Sequence, residues 1–162
     1  MTDHADSETN SGSPIADALA AFEIRLMDRY VAAQEPIWAT AQAELAAGHK
    51  TSHWMWWIFP QLALLGRSST SRQWGFDRAD EAVAFLAHDI LGDRLRHCCE
   101  LLLSLPAETR IAVVLGATDA MKLQSSMTLF ATISGERIFR DVIDRYYGGE
   151  LDATTLELVE RE

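Results

Sequence analysis

An all-α domain is the fold class that this sequence predicts, and three observations carry the prediction. Apolar residues recur at helical spacing, as in Leu19, Phe22, Leu26 and Tyr30. Prolines stand where helices would start, at Pro14 and Pro36, and glycines where they would stop, at Gly48, Gly116 and Gly148. No stretch of useful length alternates apolar and polar residues with a period of two. The one β-looking run, IAVVL at 111–115, sits between Pro106 and Gly116 in a window of helix length.

Each element follows from local signals. Residues 1–13 are small, polar and acidic and read as a disordered tail. Residues 14–162 read as a single compact domain of about eight short helices. Ser13 and Pro14 open the first helix, which runs to Gln34. Pro36 starts the second, and Gly48 stops it. Ser52 is the expected cap of a tryptophan-rich helix that Pro60 ends. Residues 61–76 read as a loop. Helix signals resume at 81–88, 91–103 and 106–115. Asp119 is the expected cap of a helix reaching about Thr132. A further helix spans 135–147, and Thr154 or Thr155 caps a last short one.

Composition narrows the partners. Nearly half of the 162 residues are hydrophobic, enough to bury a core. No run of about 18 apolar residues exists, so no membrane span is expected. The N-terminus lacks the basic and apolar regions of a secretory signal. The only cysteines, Cys98 and Cys99, are adjacent, a spacing that disfavours a mutual disulfide. Together these features predict a cytoplasmic, reduced, monomeric protein. The formal charge is −10, which argues against a nucleic-acid partner. Its distribution is uneven, however. Residues 49–126 hold eight acids and eight bases, so a small anionic ligand remains compatible with that segment.

The candidate site begins with SHWMWWIFPQ, Ser52 to Gln61. On a helical wheel its aromatic and aliphatic residues cover every direction, which marks a buried helix or the border of a cavity. Most of these side chains read as core, but three tryptophans in four positions are unusual for it, because each indole N–H needs a partner when buried. His53 would stand in the first turn with Trp57 at i+4. A catalytic base there suits the anion-favouring end of a helix. A second segment, DAMKLQSSMTLF from Asp119 to Phe130, carries a core stripe of Leu123, Met127 and Phe130. Asp119, Lys122 and Ser126 form a polar stripe beside it, flanked by Ser125. A lysine bordering a core stripe must snorkel, pair or hold an anion. The loop GRSSTSRQW adds Ser68 and two arginines.

The expected site therefore has His53 and Lys122 as catalytic residues. Trp54, Trp57, Gln61, Ser68, Asp119, Ser125 and Ser126 are its expected ligand-binding residues. No metal site is expected: the five histidines lack ligand spacing, and His97, Cys98 and Cys99 point about 100° apart on one helix. No cofactor motif is present.

SHWMWWIFPQ, the LG-and-serine turn of Leu65, Gly66 and Ser68, EAVAFLAH, LGDRLRHC, GATDAMKLQSSMTLF and YYGGELDATT occur here in that order. With these motifs the chain resembles the family catalogued as domain of unknown function 1810, from about Asp28 to Thr155. Some members of that family carry the label "calpastatin". The resemblance implies a small, single-domain, all-helical protein and no established activity. One departure is Asp89, where the family usually has proline after His88.

Three readings of function follow. The first is a pocket for a small anion: a nucleotide, a nucleotide sugar or an ADP-ribose-like ligand. The second is a protein-interaction module using the tryptophan-rich helix, its partner unspecified. The third has no small-molecule site, the motifs serving packing alone.

Overall fold

The computed structural model describes residues 12–162. The expected acidic tail, residues 1–13, thus falls almost wholly outside the described residues. Ten α-helices and one short 3-10 turn follow in order among those described. No strand forms there. A single bridge joins Leu62 and Phe76, and the IAVVL run is helical.

Helix α1, Pro14–Gln34, begins where the Ser13-Pro14 signal placed it, although Ser13 makes no side-chain cap bond. Its first half projects apolar side chains outward: Ile15, Leu19, Phe22 and Ile24 are all exposed. Its second half buries Met27, Tyr30 and Gln34. Helix α2, Trp38–Ala47, ends at Gly48, whose φ of 71° is left-handed backbone suited to glycine.

The tryptophan-rich helix is shorter than its sequence suggests. Helix α3 spans only Met55–Ile58, with Trp54 at its N-cap. Ser52 is not its cap, and His53 lies ahead of it. The reason is tertiary. Glu44 of α2 accepts the backbone N–H groups of Thr51 and Ser52, both at 2.7 Å, and holds that segment out of the helix. The expected loop over 61–76 is also corrected. It contains a 3-10 turn, Ala63–Leu65, and helix α4, Ser69–Trp74. Ser68 caps α4 by accepting from Ser71 N.

Helices α5, Ala79–Ala87, and α6, Asp89–Leu103, form a tight pair. A Cβ at Gly92 would stand 2.1 Å from the Leu86 carbonyl oxygen, so only glycine allows this approach. Helix α7 is confined to Ile111–Leu115 rather than starting at Pro106. Gly116, at φ 86°, turns the chain into α8, Ala117–Ser134, which therefore starts two residues before the expected cap at Asp119. Helices α9, Arg137–Tyr147, and α10, Ala153–Glu160, complete the chain. Asp152, not a threonine, caps α10.

Helix α8 occupies the centre, packed by α5, α7, α9 and α10. Leu123, Met127 and Phe130 of its predicted core stripe are fully buried. Tyr30, Phe76, Phe85, Phe130 and Phe139 join in a continuous aromatic file, with neighbouring centroids 5.2–5.8 Å apart. These separations suit edge-to-face and tilted pairs. At the rim, Arg145 donates to the carbonyls of Leu103, Leu105 and Pro106, and the Tyr146 hydroxyl donates to Leu102. The open end of α6 is satisfied in this way. No helix among the described residues is long and apolar enough to cross a membrane.

Candidate functional site

Helices α3, α4 and α8 meet around a narrow cleft of about 10 Å³. Its walls include Trp56, Pro60, Gln61, Ser71, Trp74 and Lys122. Gly75 completes the rim, and a Cβ there would fall 2.4 Å from Ala63 Cα. Glycine is what lets α4 press this closely on the 3-10 turn.

The Ser71 hydroxyl is the polar hub. Trp56 Nε1 donates to it at 3.2 Å, and Lys122 Nζ lies 3.5 Å away. The Ser68 hydroxyl is 2.9 Å distant, and Ser68 Oγ also accepts Ser71 N at 3.0 Å. An indole N–H and an ammonium can only donate. The Ser68 hydroxyl donates to Ser71 Oγ as well, and with Trp56 it fills the two lone pairs, leaving Lys122, the most distant donor, only loosely held.

Lys122 reaches the cleft from α8, its side chain 22% exposed. Its ammonium lies 5.6 Å from the Trp56 ring centroid and 3.8 Å from Asp119. Asp119 has a closer partner. Lys50, from the segment after α2, meets it at 2.8 Å. Lys50 also lies 5.0 Å from the Trp54 centroid, and Trp54 Nε1 donates to Glu44 at 3.2 Å. A polar file therefore runs from Lys50 through Asp119 and Lys122 to Ser71. Burial pushes the Glu44 carboxyl up, but the N–H groups of Thr51 and Ser52 outweigh this and leave it below its ordinary value.

The nine expected site residues divide between several places. Lys122 and Gln61 line the cleft. Asp119 and Ser68 stand one contact behind it. His53 is exposed and is not one of the cleft walls. Because α3 starts at Met55, His53 and Trp57 do not share a helix face by i+4 spacing. Trp54 is fully buried, so its ring is core rather than a stacking face. Trp57 packs edge-on against Trp56 and Trp74, and its buried Nε1 has no hydrogen-bond partner. Ser125 donates to Asp152 at 3.1 Å, toward α10. Ser126 is fully buried, its hydroxyl unpartnered.

The reading from sequence missed Trp56, Ser71, Trp74 and Lys50. Ser68, the serine that caps α4, carried the signal of a helix start, whereas Ser71 carried none of its own. Lys50 carried no local signal, since its partner is far along the chain. Among the described residues, no group of three or more His, Cys, Asp or Glu is placed to hold a metal ion.

An all-α protein, with ten helices among the described residues and a small lysine-bearing cleft, is the class that fold and site define. Residues 25–159 match the family described as "Protein of unknown function (DUF1810)", and the chain belongs to that family. It is also similar to a solved structure, the conserved hypothetical protein Rv1873 from Mycobacterium tuberculosis. That likeness has 40% sequence identity and a TM-score of 0.80, covering 83% of this chain and 96% of the other. No curated protein matches the chain.

Proposed function

We propose that the cleft binds a small anionic ligand through Lys122. The observation that carries this reading is the pairing pattern around Asp119. Its close partner is Lys50, at 2.8 Å, while Lys122 stands off at 3.8 Å. Two ammonium groups share one carboxylate, so the cleft end of the file carries surplus positive charge. Gln61 and Ser71 supply polar groups beside it. Trp56 provides an aromatic wall.

At about 10 Å³ the interior of the cleft has room for about one water, far below the ~300–1,000 Å³ of pockets that enclose whole small molecules. An anionic group would therefore sit at its mouth, against the partly exposed Lys122 ammonium. The remainder of a nucleotide, nucleotide sugar or ADP-ribose-like ligand would lie outside it. The docking-module reading has less support. Trp54 is buried, and the large exposed apolar side chains of α1 lie elsewhere.

The test is thermal shift with inorganic phosphate and a panel of sugar phosphates, on wild type and Lys122→Ala. A ligand that binds only the native state raises the melting temperature. The reading expects at least one of these anions to raise it in wild type and to have no effect on a folded Lys122→Ala. It fails if no anion shifts wild type, or if the shift survives in the variant.

A further inference from the structure

A second concavity, about 330 Å³, lies along α1 on the other side of Gly75 from the tryptophan cleft. Arg25, Arg29 and Arg72 stand in its walls. The chain has 24 carboxylates for 14 lysines and arginines, so most guanidinium groups should find an acid. Among the described residues, none of these three has a carboxylate within 4.0 Å.

Arg29 is held in place without being neutralised. Its guanidinium lies 3.8 Å over the Trp74 ring, and one N–H donates to the Gln73 carbonyl at 3.1 Å. A guanidinium has five N–H donors, so most remain open. Phe22, 52% exposed, stands in the same wall and offers an unstacked aromatic face. Asp77 and Glu81 complete the groove. The Glu81 carboxylate accepts Asp77 N at 2.8 Å, and burial pushes its carboxyl upward.

Guanidinium forks recognise phosphate, and an exposed aromatic face stacks on a base. Carboxylates accept hydroxyl protons and repel further anionic charge, which disfavours a long polyphosphate. The volume falls within the range that encloses a drug-sized molecule. From this juxtaposition we infer that the α1 groove is a nucleoside monophosphate site. The arginines take the phosphate, Phe22 the base, and Asp77 or Glu81 a sugar hydroxyl. The site is separate from the tryptophan cleft, because Trp74 and Gly75 stand between them, and it does not rest on the reading of that cleft.

The experiment is isothermal titration of the full chain with adenosine monophosphate and with inorganic phosphate, at low salt. Arg25, Arg72 and Phe22 are exposed, so their variants should keep the native circular dichroism. The double variant Arg25→Gln/Arg72→Gln should weaken adenosine monophosphate by about tenfold or more. Phe22→Ala should weaken it several-fold and leave inorganic phosphate unchanged. Lys122→Ala should leave both arginine- and Phe22-dependent effects intact. The inference is overturned if wild type binds no adenosine monophosphate at millimolar concentration. It is also overturned if the arginine or Phe22 variants bind as wild type, or if Lys122→Ala abolishes binding.

Discussion

Lys50 and Asp119 meet at 2.8 Å with side chains only 7% and 19% exposed, tying the segment after α2 to the first turn of α8. The pair fixes how Lys122 is presented, because it occupies the carboxylate that Lys122 would otherwise claim. Removing one member of a largely buried pair leaves the other uncompensated. Asp119→Asn should therefore cost about 3 kcal/mol. Lys122→Ala, which removes only a long and partly solvated contact, should cost less than about 1 kcal/mol. Urea denaturation of both variants checks this. Equal losses would mean that the two lysines share Asp119 evenly.

Glu44 gives the fold a pH dependence with a definite sign. Its folded carboxyl sits below the ordinary value of 4.5, as the hydrogen bonds from Thr51 and Ser52 overcome the effect of burial. A lowered folded pKa contributes stability that is full above the unfolded value and is lost as pH falls through the folded one. Glu44→Gln should destabilise the protein by roughly 1–2 kcal/mol at pH 7. The gap in melting temperature from wild type should narrow below about pH 4.5. A gap that stays constant down to pH 3 would remove Glu44 from the acid limb.

Phe59 and Trp56, only three residues apart, should separate on mutation. Phe59 is 1% exposed and deep in the core, so Phe59→Ala should cost about 3–5 kcal/mol. Trp56 is half-buried at the cleft, and Trp56→Ala should cost only roughly 1–2 kcal/mol. Chemical denaturation distinguishes them. If both lose the same amount, Trp56 is core and the cleft lacks a free wall.

Cys98 and Cys99 should be unreactive in the native protein. Burial pushes the Cys98 thiol up to about 12 and the Cys99 thiol well above its ordinary value. The thiolate is the reactive form. A thiol-specific reagent at pH 8 should label neither until denaturant unfolds the chain. Rapid labelling of folded protein would contradict the packing of α6.

The class of fold was legible because helix punctuation is local. Pro14, Gly48 and Gly148 act on their own neighbours, and the α8 stripe of Leu123, Met127 and Phe130 needed only its spacing. What escaped depended on partners distant in sequence. Residues 52 and 53 look like the start of a helix until Glu44 captures the Thr51 and Ser52 amides. Helix α4 is six residues long and rich in serine, a composition that reads as loop until Ser68 caps it and the 3-10 turn supports it. Ser125 and Lys122 are three residues apart on α8. Asp152, 27 residues beyond Ser125, draws that hydroxyl toward α10 instead. Lys122 and Gln61 were readable as cleft residues because each is a polar group bordering an apolar run. Ser71 and Lys50 offered no such contrast.

The carbonyl groups closing α6 have a bearing on the order of assembly during synthesis. Their donors, Arg145 and Tyr146, come about 40 residues later in the chain. A nascent polypeptide that has emerged only through α8 lacks the Arg145 donors to the Leu103 and Leu105 carbonyls, while Leu102 and Pro106 keep local backbone donors. Contacts of such sequence separation are formed late, since a long loop must close first. The central helix can collapse onto α5 early, but the C-terminal end of α6 waits for α9. Ribosome-bound chains halted before residue 145 should therefore remain protease-sensitive near Leu103, and chains halted well beyond it should not.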